Sequence, residues 1–83
     1  MFMVRRDGAE IRKERMEELA RFIQRSLRNS EAISLSITIK SFAYQHGLRP
    51  ERVMEYLEIL EGLGQFTIDR EHDLIKKVKI SNE

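Results

Sequence analysis

Side chains able to do covalent or metal chemistry are few in this 83-residue chain. His46 and His72 are its two histidines, and it has no cysteine. The missing thiol excludes disulfides, thiolate catalysis and cysteine-type zinc sites in this chain. His46 falls on the inward side of a short helical period, a position that suits a core histidine. His72 sits in the charged stretch DREHD at 69–73, which suits an exposed polar turn. No glycine-rich phosphate loop, nucleophile elbow or Ser/His/Asp set can be traced. The expectation is a protein that is not an enzyme and uses neither cofactor nor metal.

What remains is the chemistry of charge. The stretch GLRPERVMEYLEILE at 47–61 carries Glu51, Glu55, Glu58 and Glu61, with Arg49 and Arg52 at its start and Lys40 upstream. Near the C-terminus, Lys76, Lys77 and Lys79 follow Arg70 and His72. These lysines are placed either to hold phosphate or to keep an edge strand from pairing with another sheet. Arg5, Arg6, Arg12 and Lys13 form a basic N-terminal set. Arg15, Arg21, Arg25 and Arg28 form another, several of which Glu14, Glu17 and Glu18 are spaced to pair at i+3 or i+4.

A net charge of +1 hides an asymmetry. Residues 1–30 hold eight Arg/Lys against five Asp/Glu, whereas residues 31–83 hold seven against nine. The first segment is therefore the better match for a polyanion. Charged residues make up 35% of the chain and apolar residues 41%, enough for one small core and no deep substrate cavity. The opening MFMV is too short for a signal peptide or a membrane span, so a cytoplasmic protein with no membrane partner is expected.

The elements that position these charges follow from periodicity. Residues 1–9 read as a flexible arm, 10–80 as one domain and 81–83 as a tail. A first helix is expected over 10–28, with Met16, Leu19, Ala20, Ile23 and Leu27 on one face. Ile11 and Phe22 lie on a second stripe, either a flank of the core or a contact for another chain. Residues 31–37 alternate, so Ile33, Leu35 and Ile37 are expected on one side of a short strand. Ser36 or Thr38 would then cap a helix over 38–46. Gly47 ends that helix, and Pro50 suits the first turn of the next, over 50–61. Val53, Tyr56, Leu57 and Leu60 form its inner face. A β-hairpin is expected over 65–80, with Phe66 and Ile68 inward in one strand and Leu74, Val78 and Ile80 in the other.

This order of elements resembles the winged-helix members of the helix-turn-helix superfamily, in particular small prokaryotic and archaeal transcription regulators. The resemblance spans residues 10–80. Phe42 and Ala43 are similar to the family's paired large apolar residue and alanine, and Gly47 and Leu48 to its turn. Val53 and Leu57 are similar to the inward positions of the recognition helix, and LGQF at 63–66 to the passage into the wing. The resemblance implies an α+β, mainly α, fold: three helices and a small antiparallel sheet with a C-terminal β-hairpin wing. It implies a recognition helix in the DNA major groove, a wing on the backbone or minor groove, and frequent dimers. A minority of such domains bind only protein.

Two positions depart from the pattern. Arg49 stands where a capping Ser or Thr is usual; it cannot cap but can meet phosphate. At about 100° per residue, Glu51, Glu55 and Glu58 point about 140° to 200° away from Val53, on the side that would face the bases. Carboxylates there oppose phosphate binding, although one can accept a hydrogen bond from cytosine. The expectation is a DNA-binding transcription regulator that grips double-stranded DNA through phosphates. Lys40, Arg49, Arg52, Arg70, Lys76, Lys77 and Lys79 would carry the contacts, with Arg5 and Arg6 as an arm. The alternative is a protein-interaction module. Its Glu51, Glu55 and Glu58 would meet a basic partner, or Ile11 and Phe22 would build a homodimer.

Overall fold

A computed structural model describes residues 8–78, with side chains from residue 10 onward. The expected arm contacts Arg5 and Arg6, the strand residues Lys79 and Ile80, and the tail at 81–83 lie outside the described residues. The first helix, α1 (Gly8–Leu27), begins two residues before the expected start. Its stripe is confirmed, since Leu19, Ile23 and Leu27 are buried with Met16 and Ala20 packed beside them. Glu10 in the first turn and Arg25 in the last complement the helix dipole.

The strand expected over 31–37 is shorter. It comprises β1 (Ala32–Ser34) alone, and α2 (Leu35–His46) starts at once. The cap is Ser34, not Ser36 or Thr38. Its Oγ accepts from the Ile37 N–H at 3.2 Å, and its carbonyl accepts from the Thr38 hydroxyl at 2.7 Å. A free backbone donor in the first turn is thereby satisfied and the chain leaves the strand early. Leu35 turns into the core, whereas Ile37, expected to share its side, is 65% exposed.

At the other end of α2, Gly47 adopts φ 63°, the left-handed conformation. A Cβ there would meet nothing within 4 Å, so backbone conformation alone makes glycine the suitable residue. Leu48 N–H returns to the Ala43 carbonyl at 2.9 Å, closing the turn. Pro50 opens α3 (Pro50–Gly62), where its missing N–H costs nothing. Val53, Tyr56, Leu57 and Leu60 are all buried, as the periodicity required.

Two further strands, β2 (Thr67–Asp69) and β3 (Leu74–Lys76), pair antiparallel across residues 70–73. β3 also pairs antiparallel with β1, which gives a three-stranded sheet of order β1-β3-β2. The inward phase of β3 differs from expectation. Ile75 is fully buried between Ile33 and Ile68, while Leu74 is half-buried and Val78 is exposed. Two adjacent apolar residues fit either phase, and register with both neighbouring strands selects Ile75. The molecule is thus an α+β fold, with the helices packed on one another and on a small antiparallel sheet around one core that includes Phe42 and Phe66.

Candidate nucleic-acid interface

The turn at 47–49 sets the entrance of α3. Arg49 occupies the N-cap position in an extended conformation, and its side chain caps nothing. Its carbonyl accepts the N–H groups of Arg52 and Val53 at 3.0 and 3.2 Å, which starts the helix by backbone alone. The guanidinium is exposed and forms no ion pair among the described residues. It lines a shallow open groove with Gly47, Leu48, Glu51, Arg52 and Glu55. Arginines and glutamates alternate there, so the groove is not a uniformly positive seat.

The cations expected around α3 are mostly held by the chain's own carboxylates. Arg52 Nη1 is 3.4 Å from Glu55 Oε1. Arg70, in the loop after β2, places Nη2 2.8 Å from Glu58 Oε2 of α3. Lys76 Nζ is 3.0 Å from Asp69 Oδ2, to which His72 Nδ1 also comes within 2.9 Å. Glu61 turns the other way, and its Oε2 accepts the Ile68 N–H at 2.9 Å. That bond occupies a backbone donor on β2, an edge strand of the sheet. Glu51 has no ion-pair partner among the described residues, so one carboxylate of the outward face is uncompensated.

Lys40 is exposed on α2 and sits near enough to Asp73 to help hold that carboxylate ionised. Lys77 is placed elsewhere. It lines a groove with Gln24 and Leu27 of α1, Arg28 just after that helix, and Gly64, Gln65 and Val78. The expected phosphate contacts are therefore not one patch. Arg49 and Arg52 share one groove, and Lys77 belongs to another beside α1.

The chain matches no family model, no curated protein and no solved structure.

Two carboxylates missed by sequence reasoning organise the loop at 70–73. Asp73 takes φ 58°, a left-handed conformation that aspartate tolerates better than most residues. It caps α2 from across the chain. Its Oδ1 accepts from the Ser36 hydroxyl at 2.6 Å and the Ser36 N–H at 3.1 Å, and its Oδ2 accepts from Ser34 Oγ at 3.2 Å. The Ser36 hydroxyl is the largest of the causes that hold the Asp73 carboxyl below its usual pKa of 3.8. Asp69 is lowered from 3.8 to about 2, first by the His72 side chain, then by Lys76 and the His72 N–H. Asp69, Glu71 and His72 bring three donor atoms within 4.8 Å of one another. Asp69 already binds Lys76 there, so a cation would have to displace the ammonium.

The cations of α1 differ from those of α3. Arg15 pairs with Glu18 at 2.9 Å, as its spacing allowed. Arg21, Arg25 and Arg28 are exposed and form no ion pair among the described residues. Arg21 and Arg25 border a groove between α1 and α2 with Gln45 and His46. His46 stacks on Phe42 with ring centroids 4.1 Å apart and lies 3.7 Å from Glu18. Phe22 meets Phe42 edge-on at 6.1 Å, which ties it to the core, while Ile11 remains 43% exposed. No helix among the described residues is long and apolar enough to cross a membrane.

Proposed function

We propose that this chain is a small winged-helix protein that binds double-stranded DNA through phosphate contacts and regulates transcription. α2, the left-handed turn at Gly47 and α3 would form its helix-turn-helix, and β2, β3 and the loop between them its wing. The observation that carries the reading is that turn. Gly47 at φ 63° and Leu48 closing on Ala43 fix α3 against α2 and leave Arg49 exposed at its start. The outward carboxylates Glu51, Glu55 and Glu58 argue against base reading by α3, so affinity would come from charge and depend steeply on salt. The test is a titration of the full chain against duplex DNA at several salt concentrations. Binding that weakens linearly on a log–log plot is expected; no binding at about 50 mM salt, or binding indifferent to salt, would remove the reading.

A second reading is favoured by one further observation. Glu51 is uncompensated and Ile59 is 49% exposed, both on α3, a combination suited to a basic, partly apolar protein surface. Exposed Ile11 on α1 offers a homodimer contact in the same reading. Sedimentation and recovery of partners from native lysate separate the two. A monomer that recovers nucleic acid and no protein would contradict the second.

A further inference from the structure

Four cations form no ion pair among the described residues, on a surface that shares no residue with the groove at α3. Arg21 and Arg25 are four apart on one face of α1, away from Leu19, Ile23 and Leu27, and Arg28 continues the row in the turn just past the helix, its N–H bonded to the Arg25 carbonyl at 3.3 Å. The three span about 10 Å of helix axis at 1.5 Å per residue. No aspartate or glutamate occurs from Leu19 to Ser30. Arg28 shares its groove with Lys77 of the segment after β3, lined otherwise by Gln24, Leu27, Gly64, Gln65 and Val78. Glu31, whose carbonyl accepts the Lys77 N–H at 3.4 Å, is the carboxylate residue nearest in the chain to this end. Arg21 and Arg25 share theirs with one carboxylate, Glu18, which is already bound to Arg15.

The α3 side is the reverse. Arg52, Arg70 and Lys76 are each matched by Glu55, Glu58 or Asp69, with Glu51 left over. A phosphate approaching there must displace or repel carboxylates. Along α1 it meets none between Arg21 and Arg28.

We infer that the phosphate-gripping surface is the C-terminal half of α1 and the turn after it, through Arg21, Arg25 and Arg28, together with Lys77, and that α3 is not the principal DNA contact. The inference rests on the nucleic-acid reading above and changes which face carries it. Complementing the helix dipole accounts for cations only within the last turn, which leaves Arg21 unexplained. A protein partner would want large apolar anchors at the centre of its contact. The exposed apolar side chain here is Val78 at the Lys77 end, while Leu27 and Phe42 are buried and Phe22 packs against Phe42. An extended run of one sign without apolar anchors fits a polymer of phosphates.

The test compares three variants of the full chain against a short mixed-sequence DNA duplex at several salt concentrations, each first shown to be folded by its thermal transition. Each phosphate contact adds about 0.9 to the salt slope. The R21Q/R25Q/R28Q variant is expected to lose roughly several-hundredfold in affinity at about 0.1 M salt, with a slope shallower by about 2.7. R21K/R25K/R28K should restore most of the binding, because it keeps the charge. R49Q/R52Q should stay within about threefold of the unaltered chain, since Arg52 is already matched by a carboxylate. If R49Q/R52Q abolishes binding and R21Q/R25Q/R28Q does not, the inference falls while the DNA-binding reading stands. If the lysine variant fails to bind, charge is not the basis of the contact and the inference also falls. If the unaltered chain binds no duplex at low salt, the DNA-binding reading itself falls.

Discussion

Arg70 Nη2 lies 2.8 Å from Glu58 Oε2, so the loop between β2 and β3 is tied to the outward face of α3 by opposite charges. A cation that could meet phosphate is instead spent within the molecule, and the same is true of Arg52 and Lys76. These pairings turn the DNA question away from α3 and toward α1.

Glu58→Gln follows directly. Removing this carboxylate frees Arg70 on a face away from the proposed DNA surface, so duplex affinity should stay within about threefold of the unaltered chain at low salt. Both partners are about half-exposed, so stability should change by no more than about 0.5 kcal/mol. Paired binding and denaturant titrations check both halves of the prediction.

The start of α2 depends on two caps from different parts of the chain. Ser34→Ala removes the local one and should cost about 1 kcal/mol in chemical denaturation. Asp73→Ala removes the distant one and leaves an alanine at a φ of 58°, so it should be destabilising as well. Asp73→Asn keeps tolerance of that conformation and should recover part of the loss. Equal stability of the Ala and Asn variants would contradict this account of the loop.

Much of the fold was legible in the sequence where one face of a helix had to be apolar. Val53, Tyr56, Leu57 and Leu60 are buried as their spacing demanded, and Gly47 ends α2 in the expected left-handed conformation. The end of β1 was not legible. Its choice of Ser34 over Ser36 or Thr38 is reinforced by Asp73, 37 residues away from Ser36. The phase of β3 was hidden because Leu74 and Ile75 are both apolar and only pairing with Ile33 and Ile68 decides between them. The charge contacts were least legible. Arg70–Glu58 and Glu61–Ile68 join separate elements, and no local spacing announces them. Helical spacing offered Arg21 a partner in Glu17 or Glu18 and offered Arg25 and Arg28 none within α1; exposed arginines gain little from such pairs, and these three form none among the described residues.

Acid should loosen the loop before it affects the helical core. Asp69 and Asp73 are both lowered in the folded state, Asp69 from 3.8 to about 2. An unfolded chain therefore binds protons at these groups at a higher pH than the folded chain does. The Asp69 contribution is complete above about pH 4 and is lost as pH falls through about 2, and the Asp73 contribution is likewise lost on acidification below its usual 3.8. Denaturant midpoints measured across that window should fall, and Asp69→Asn should flatten the fall. An unchanged slope in that variant would contradict the assignment.

Gly47→Ala tests the turn that positions Arg49. Space is available for the methyl group, so only the left-handed backbone opposes it. The expected cost is about 1 kcal/mol in denaturant titration, without loss of the folded state. A neutral or stabilising substitution would show that the turn is not held at φ 63°.

The most direct measurement is a map of backbone amide shifts in the full, isotopically labelled chain as duplex DNA is added. The predicted result is salt-sensitive shifts concentrated on Arg21, Arg25, Arg28 and Lys77, with α3 beyond Arg49 little changed. Shifts concentrated on Glu51, Glu55 and Glu58 would contradict this placement of the DNA surface, and no shifts at low salt would contradict DNA binding altogether.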